Sequence, residues 1–300
     1  MSLSIIGSVA LDTVETPYGK KKDILGGSAI YSSVSASFFT AVNLISVVGN
    51  DFPEKYTRML DKKGIDIRGL EVKKGKTFRW EARYRDLNCA ETLNTHLNVF
   101  EGFRPKIPPH ITPKGDLLLA NIDPELQECI FKRIRPKGLV SCDTMNLWIT
   151  QKKKVLEKLL KKVDLFLLND AEACQLSGEN NLFEAARYIA DKGAKMIVIK
   201  KGEHGVLFFS PDLKFILPAY LLEKVKDPTG AGDTFAGGMV GYLAEQKKIN
   251  DRILREAMVY GTILASFAVE NFGGESLAKV DSKAITKRRG DFEKLTRFYK

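Results

Sequence analysis

The segment VKDPTGAGDTFAGGMVGYLAE, residues 225–245, joins a strand-like stretch to an apolar helix through a turn of small residues. Gly230, Ala231 and Gly232 let a ligand approach the backbone closely, because they carry little or no side chain. The first turn of a helix also presents unpaired N–H groups and the positive end of the helix dipole. Asp233 adds a carboxylate at this helix entrance. We therefore interpret the segment as an anion-binding turn with a base beside it, as phosphoryl transfer to a hydroxyl requires.

The composition favours a soluble protein with a real core, since 44% of the 300 residues are hydrophobic. No apolar run reaches the roughly 18 residues of a membrane span, and no signal peptide is recognisable, so we expect a cytoplasmic protein. The net charge of +10 is spread over many lysines on amphipathic segments, which predicts a solvated surface rather than a nucleic-acid partner. The cysteines form no CxxC pair, which argues against a zinc site or a disulfide framework: Cys89, Cys129, Cys142 and Cys174.

Strand-like and helix-like segments alternate along the whole chain, which predicts a single α/β domain over residues 1–300. Its sheet should be mostly parallel and covered by helices on both faces. The predicted strands are 4–9, 42–48, 117–120, 138–142, 165–168 and 196–200. The predicted helices are 29–39, 54–63, 124–134, 149–162, 182–192, 231–246 and 251–271. Ligands of such sheets bind beyond the carboxyl ends of the strands.

Two stretches, about 12–25 and 74–101, interrupt this alternation. Within the second, FRWEARY alternates apolar and polar residues, which is typical of a sheet with one covered face. We predict that the two stretches form a small antiparallel β lid over the site, with an ordinary surface hairpin as the alternative. The exposed edges of such a lid would also favour pairing into a homodimer.

Four motifs together resemble the ribokinase-like, or PfkB, family of carbohydrate kinases. DPTGAGDTFAGG is similar to the C-terminal signature of that family, and LGGSAIYSS, with Gly26-Gly27, to its N-terminal glycine motif. Asn169 and Glu172 fit the NxxE motif, and KKGEHG at 200–205 fits the nucleotide-binding turn. The resemblance covers essentially the whole chain. It implies a ribokinase-like fold and an ATP-dependent phosphotransferase that uses Mg²⁺ and acts on a hydroxyl of a small sugar or polyol.

The resemblance assigns roles at the chemical centre. It implies that Asp233 takes the proton from the acceptor hydroxyl, while Gly230, Ala231 and Gly232 donate backbone N–H groups to the moving phosphoryl group. From the residues alone, a helix-capping aspartate is the alternative. The resemblance also implies that Glu172 holds Mg²⁺ through water. From the residues alone, the sequence NDAE is a helix cap followed by first-turn acids.

The remaining nucleotide and cation positions also come from the resemblance. Lys200 stands where many members of the family have a threonine, and a phosphate contact from its ammonium would be a departure from them. Asp227 and Thr229 match the position at which family members often hold K⁺. The implied nucleotide-binding residues are Asn169, Lys200, Gly202, Gly205, Thr262 and Asn271.

At the acceptor end, Asp12 follows the first strand, where related sugar kinases grip two neighbouring hydroxyls. Gly26 and Gly27 would let the backbone approach the same sugar. Tyr31 replaces the asparagine that usually ends the family's GGxxxN pattern, which leaves fructose-type sugars, cyclitols and nucleosides open as acceptors. Strand-end residues are expected to complete the polar lining, or else to cap helices: Asn121, Asp123, Asp143 and Asn146.

Two other functions remain open. A nucleoside kinase of the same family would stack the base on aromatic side chains, for which Tyr31, Phe78 and Trp80 are candidates. A sugar or nucleotide sensor without catalysis could keep the fold and dispense with the base and the metal-side residues. Asp233, Asn169 and Glu172 are all present, which favours an enzyme.

Overall fold

The computed structural model describes residues 2–297, and it contains a nine-stranded sheet and a separate four-stranded sheet. The strands of the large sheet are β1 (Ser2–Ile6), β4 (Ala41–Gly49), β5 (Ile65–Lys73), β8 (Asp116–Leu119), β9 (Val140–Asp143), β10 (Leu165–Asn169), β11 (Met196–Lys200), β12 (Val206–Phe209) and β13 (Lys214–Leu217). They lie in the order β13-β12-β11-β10-β9-β8-β1-β4-β5. The seven strands from β11 to β5 in this order are parallel to one another, and β12 and β13 extend the sheet with antiparallel pairing.

Helices cover both faces of the large sheet, as the alternation of segments predicts. They are α1 (Ser28–Ala36), α2 (Glu54–Lys62), α3 (Pro124–Ile134), α4 (Asn146–Leu160), α5 (Asp170–Ser177), α6 (Leu182–Asp191), α7 (Ala231–Glu245), α8 (Asp251–Ala268), α9 (Gly274–Leu277) and α10 (Ser282–Thr296). Short 3₁₀ turns occupy Asn98–Phe100 and Gly202–His204. Among residues 2–297, none of the helices is long and apolar enough to cross a bilayer.

The core is divided by the sheet because its inner strands are apolar on both sides. β10, with the sequence LFLLN, is buried along Leu165–Leu168, the pattern of a parallel strand between two helix layers. Alternate residues point to opposite faces. Leu165 and Leu167 pack with α1, α2, α7 and α8, whereas Phe166 and Leu168 pack with α3 to α6.

The small sheet is built from the two stretches predicted to form the lid, and we keep that name for it. Its strands are β2 (Ala10–Thr16), β3 (Gly19–Gly26), β6 (Phe78–Asp86) and β7 (Cys89–His96), in the order β3-β2-β6-β7. Two of its pairs are antiparallel, but β2 and β6 are parallel, with Asp12 opposite Trp80. The prediction of a wholly antiparallel lid was therefore wrong. β2 and β6 follow β1 and β5, which are parallel strands of the large sheet, so both enter the lid in the same direction.

Candidate active site

The first turn of α7 leaves most of its N–H groups open: the Ala231 N–H donates to the Pro228 main-chain oxygen at 3.2 Å, but none of the described backbone hydrogen bonds uses the N–H of Gly230, Gly232 or Asp233. Gly230 is the N-cap residue with φ 74° and ψ 5°, a left-handed conformation that favours glycine, and it supplies no capping side chain. The ring of Tyr31 lies directly against Gly230, in the space that a Cβ would need. Ala231, Gly232 and Asp233 follow as the first three helical residues and line a cavity of about 860 Å³. The turn therefore presents main-chain donors and a carboxylate to one cavity.

Asp233 is held in an environment that makes its carboxylate a better base. Burial raises the pKa of Asp233 to about 7, and the charges of Asp143 and Glu172 add to that rise while the Lys200 ammonium opposes it. The main-chain oxygen of Asp233 accepts a hydrogen bond of 3.0 Å from Ser32, which ties the turn to α1. A near-neutral pKa suits a group that must accept a proton near pH 7.

A buried ion pair lies beside this turn. Lys200 Nζ, at the end of β11, is 2.7 Å from Asp143 Oδ2, at the end of β9. A Cβ on Gly232 would lie 3.2 Å from the same ammonium, so the cation rests against the first turn of α7. The sequence pointed to both strand ends but not to their pairing, because the two residues are 57 positions apart and lie on the strands that flank β10.

Asn169 and Glu172 form a reciprocal capping box at the start of α5. The side chain of Asn169 accepts from the Glu172 N–H at 2.7 Å, and the Glu172 carboxylate accepts from the Asn169 N–H at 2.8 Å. Burial raises the pKa of Glu172 to about 7, against the lowering effect of Lys200. The capping interpretation thus describes the geometry, and both residues also line the cavity that contains Asp233.

Residues 2–297 contain no cluster of three or more His, Cys, Asp or Glu side chains placed to hold a metal ion. Carboxylates at the cavity wall fit a hydrated Mg²⁺, because this ion keeps several waters and needs only one or two carboxylates. Asp227 fits a monovalent cation: its Oδ1 accepts from the Thr229 N–H at 2.9 Å, while its buried Oδ2 has no hydrogen-bond partner.

All but one of the residues predicted to bind the nucleotide line the cavity. Gly202, Gly205 and Thr262 line the same cavity, with φ values of 53° and 87° at the two glycines. Asn271 is exposed, is not among the lining residues, and accepts a hydrogen bond of 3.4 Å from Lys226. Asn271 lies beyond the end of α8, and it is Val269 that reaches the cavity.

The acceptor-side predictions converge in the interior under the lid. Asp12 packs directly on Gly26, its pKa is raised well above the usual range by burial and by the charges of Asp227 and Asp233, and the Gly27 N–H opposes that rise. Asp12 Oδ1 and Tyr31 Oη are both buried without a hydrogen-bond partner. Burial, with the same carboxylates nearby, also raises the pKa of Tyr31. Unpaired buried polar atoms are costly, so these two suit the hydroxyls of a ligand.

Asn121 and Asp123 have different roles in the structure, because only Asn121 lines the cavity. Asn121 lines the cavity, and its Oδ1 accepts from Trp148 Nε1 at 3.0 Å. Asp123 caps α3 through the Glu125 N–H at 2.9 Å, pairs with Lys152 at 2.7 Å, and is not among the residues that line the cavity. Of the two interpretations that the sequence left open for Asp123, capping is the one that the structure supports.

Tyr84 is a lid residue that the sequence reasoning did not single out. Its phenol accepts a hydrogen bond of 3.2 Å from the Thr229 hydroxyl, which joins β6 to the loop before α7. The alternation of FRWEARY carried the signal, because Trp80, Ala82 and Tyr84 share one face of the strand and pack with Val14. The lid is therefore anchored next to the acceptor side.

Both the sequence and the fold of this chain are similar to those of known proteins. The family model of the pfkB family carbohydrate kinases matches residues 21–280. This chain belongs to the pfkB family of carbohydrate kinases. The kinase is 30% identical over 251 residues to a cytidine kinase of Thermococcus kodakarensis, covering 81% of this chain and 88% of that protein. It is 31% identical to a ribokinase of Haemophilus influenzae, over 92% of this chain and 94% of that one.

The fold of the kinase is also that of solved ribokinase-like structures. The aminoimidazole riboside kinase of Salmonella enterica, solved with aminoimidazole riboside and an ATP analogue, superposes with a TM-score of 0.77 at 19% identity. The match covers 96% of this chain and 100% of that one. The ribokinase-like fold is thereby confirmed, and relatives of the kinase act on sugars or nucleosides.

Proposed function

We propose that the kinase transfers the γ-phosphoryl group of ATP to a hydroxyl of a small sugar, polyol or nucleoside, with Asp233 as the base. The observation that carries this proposal is the position of Asp233. Its carboxylate, with a pKa of about 7, lines the 860 Å³ cavity, and its charge also acts on Asp12 and Tyr31, which carry unpaired buried polar atoms. The proton of the acceptor hydroxyl passes to Asp233 as its oxygen attacks the γ-phosphorus in line, and the bond to the bridging oxygen breaks to release ADP. The N–H groups of Gly230 and Gly232, with that of Ala231 shared with the Pro228 oxygen, would stabilise the charge on the phosphoryl oxygens.

The nucleotide side of the proposal assigns the cavity to ATP. Asn169 and Glu172 would hold a hydrated Mg²⁺, which when bound neutralises phosphate charge. Lys200 lies against the anion-binding turn and adds a cation there, although it is paired with Asp143. Asp227 and Thr229 would hold a monovalent cation such as K⁺, as the unpaired Asp227 Oδ2 suggests.

The acceptor side of the proposal rests on Asp12, Gly26, Gly27 and Tyr31, with Asn121 at the cavity wall. A carboxylate accepts hydrogen bonds from two neighbouring hydroxyls, and the Tyr31 phenol can donate one. The lid, anchored by Tyr84 on Thr229, would keep water away from the phosphoryl group, since water is a competing acceptor.

A nucleoside is the second candidate acceptor, and two observations favour it. Tyr31 and Tyr84 bring two aromatic rings to the acceptor side, beside Asp12. The similarity to a cytidine kinase over most of the chain agrees with a base-binding pocket.

A panel of acceptors tests the proposal. Ribose, fructose, myo-inositol, cytidine and adenosine are supplied with ATP–Mg²⁺, and ADP release is followed with the Asp233→Asn variant as a control. We expect acceptor-dependent ADP release from the wild type with one class strongly preferred. Tight ATP binding without release for any acceptor would overturn the proposal in favour of a sensor.

Pairing of two lids into a homodimer stays a proposal as well. β7 forms an edge of the lid sheet and is almost wholly exposed, so its backbone is available to a second copy. Light scattering at micromolar concentration should give twice the monomer mass of 33.5 kDa. A monomeric mass would contradict it.

A further inference from the structure

We propose that Arg288, on the C-terminal helix α10, is a positioning residue for the nucleotide base, which it serves by fixing Tyr220 and Ser266 in the cavity wall. This inference rests on the proposed function, because it takes the cavity as the ATP site. No motif of the sequence points to α10, and Arg288 lies outside the residues 21–280 that match the family model.

The part of the cavity formed by the segment 219–225 and by α8 suits a base. Phosphates belong at the first turn of α7, where the N–H groups of Gly232 and Asp233 have no described backbone partner. The wall formed by 219–225 and α8 is mostly apolar, and Leu221 in it is 73% exposed, which leaves apolar surface for a flat ring to cover. The residues of this wall are Ala219, Tyr220, Leu221, Leu222, Val225, Thr262, Ala265, Ser266 and Val269.

Arg288 makes four contacts that tie this wall together. Its Nη1 donates to Ser266 Oγ at 2.9 Å and to Glu270 Oε2 at 2.8 Å, both on or just after α8. Its guanidinium carbon is 3.5 Å from the ring centre of Phe267 and 5.1 Å from that of Tyr220. The side chain is only 15% exposed, so these contacts are largely shielded from water.

Tyr220 depends on such contacts for its orientation. It lies in the irregular segment 218–230, which contains no helix or strand, so the backbone ladder does not fix its ring. The Arg288 guanidinium lies over this ring, and Phe292, one helical turn further along α10, lies 6.2 Å from it between centres. A planar guanidinium can stack and donate at the same time, which an ammonium cannot do equally well. Losing Arg288 should therefore loosen the base wall and leave the phosphate end intact.

The test uses the full-length kinase with Arg288→Ala and Arg288→Lys. Arg289→Ala is the matched control, since this neighbour stacks on Tyr260 at 5.9 Å instead. The measurements are the KM for ATP, the KM for the best acceptor, and inhibition by inorganic tripolyphosphate, which has phosphates but no base. We expect Arg288→Ala to raise the KM for ATP on the order of tenfold, with tripolyphosphate inhibition and the acceptor KM unchanged. The KM for ATP of Arg288→Lys should lie between those of the wild type and Arg288→Ala, and the KM of Arg289→Ala should match that of the wild type.

Two results would overturn the inference. An unchanged KM for ATP would remove the role of Arg288, and equal weakening of ATP and tripolyphosphate would indicate general distortion. If Arg288→Ala does not fold, Arg288→Lys decides, because it keeps the charge beside Glu270 while losing the planar stack. A wild type without ATP-dependent turnover would instead contradict the proposed function, so the two failures are distinguishable.

Discussion

The first turns of α5 and α7 hold the same kind of group in the same helical position with different consequences. Glu172 and Asp233 are each the third residue of their helix, and each has a pKa of about 7 because of burial. Glu172 accepts a hydrogen bond from the Asn169 N–H, but none of the described hydrogen bonds has the Asp233 carboxylate as a partner. Both carboxylates line the cavity, but only the Glu172 carboxylate caps its own helix.

The N-cap residue makes the difference between the two turns. Asn169 fills the α5 cap with its own side chain, whereas Gly230 at α7 has none to offer. A helix end without a side-chain cap leaves donors that a ligand can use. The α5 turn therefore gains stability from its own side chains, whereas the α7 turn keeps main-chain donors available to a ligand.

The largest expected effect is a difference in kcat between substitutions of the two carboxylates, Asp233 and Glu172. Asp233→Asn should lower kcat by roughly 10²-fold or more with ATP binding retained, because the base is lost. Glu172→Gln should lower kcat only about tenfold, since glutamine can still accept the capping hydrogen bond while its charge is lost. Steady-state kinetics with ATP binding by calorimetry checks both. Near-normal kcat for Asp233→Asn would contradict the assignment of the base.

A smaller effect concerns stability and should be opposite at the two turns. Asn169→Ala should cost about 1 kcal/mol as a lost cap, or roughly 1–2 °C in Tm for a protein of this size. Asp233→Asn should instead raise Tm by about a few degrees at pH 8. The raised pKa means that the folded state bears the cost of a buried charge above pH 7, and that this cost fades as the pH falls from 7 towards 4.

Thermal unfolding at pH 8 and pH 5 provides the measurement. The gain of Asp233→Asn over the wild type should shrink at pH 5, while the loss in Asn169→Ala should persist, because an amide cap does not titrate in this range. A gain of equal size at both pH values would show that charge burial is not its cause.

The smallest expected effect is a shift in the pH profile of kcat, which should rise with an apparent pKa near the value of about 7 for Asp233. Asp143→Asn should move the profile to lower pH by roughly half to one unit, because it removes a negative charge and frees the Lys200 ammonium. Lys200→Met should move it to higher pH. Shifts of the same sign in both variants would contradict this account of the electrostatics.

The sequence predicted many helices and strands of the large sheet because their periodicity is local, although it predicted no strand at β5 and no helix at α5. α3 was predicted with the bounds that it has, and α7 and α8 began where predicted. α10 was not predicted, since its buried residues are few and include Ile285 and Phe292. The parallel pairing of β2 with β6 was also not predicted, because it joins residues that are nearly 70 positions apart.

The candidate site divides in the same way. DPTGAGDTFAGG by itself predicted the glycine turn at the start of α7, since glycine conformation and helix polarity are properties of the local chain. Only the tertiary structure could pair Lys200 with Asp143, assign Asp123 to a helix cap, move Asn271 out of the cavity and bring Arg288 to its wall. Those outcomes depend on which elements become neighbours and on how far water is excluded. Burial and charge in turn set the pKa of Asp233, and no short stretch of sequence carries that information.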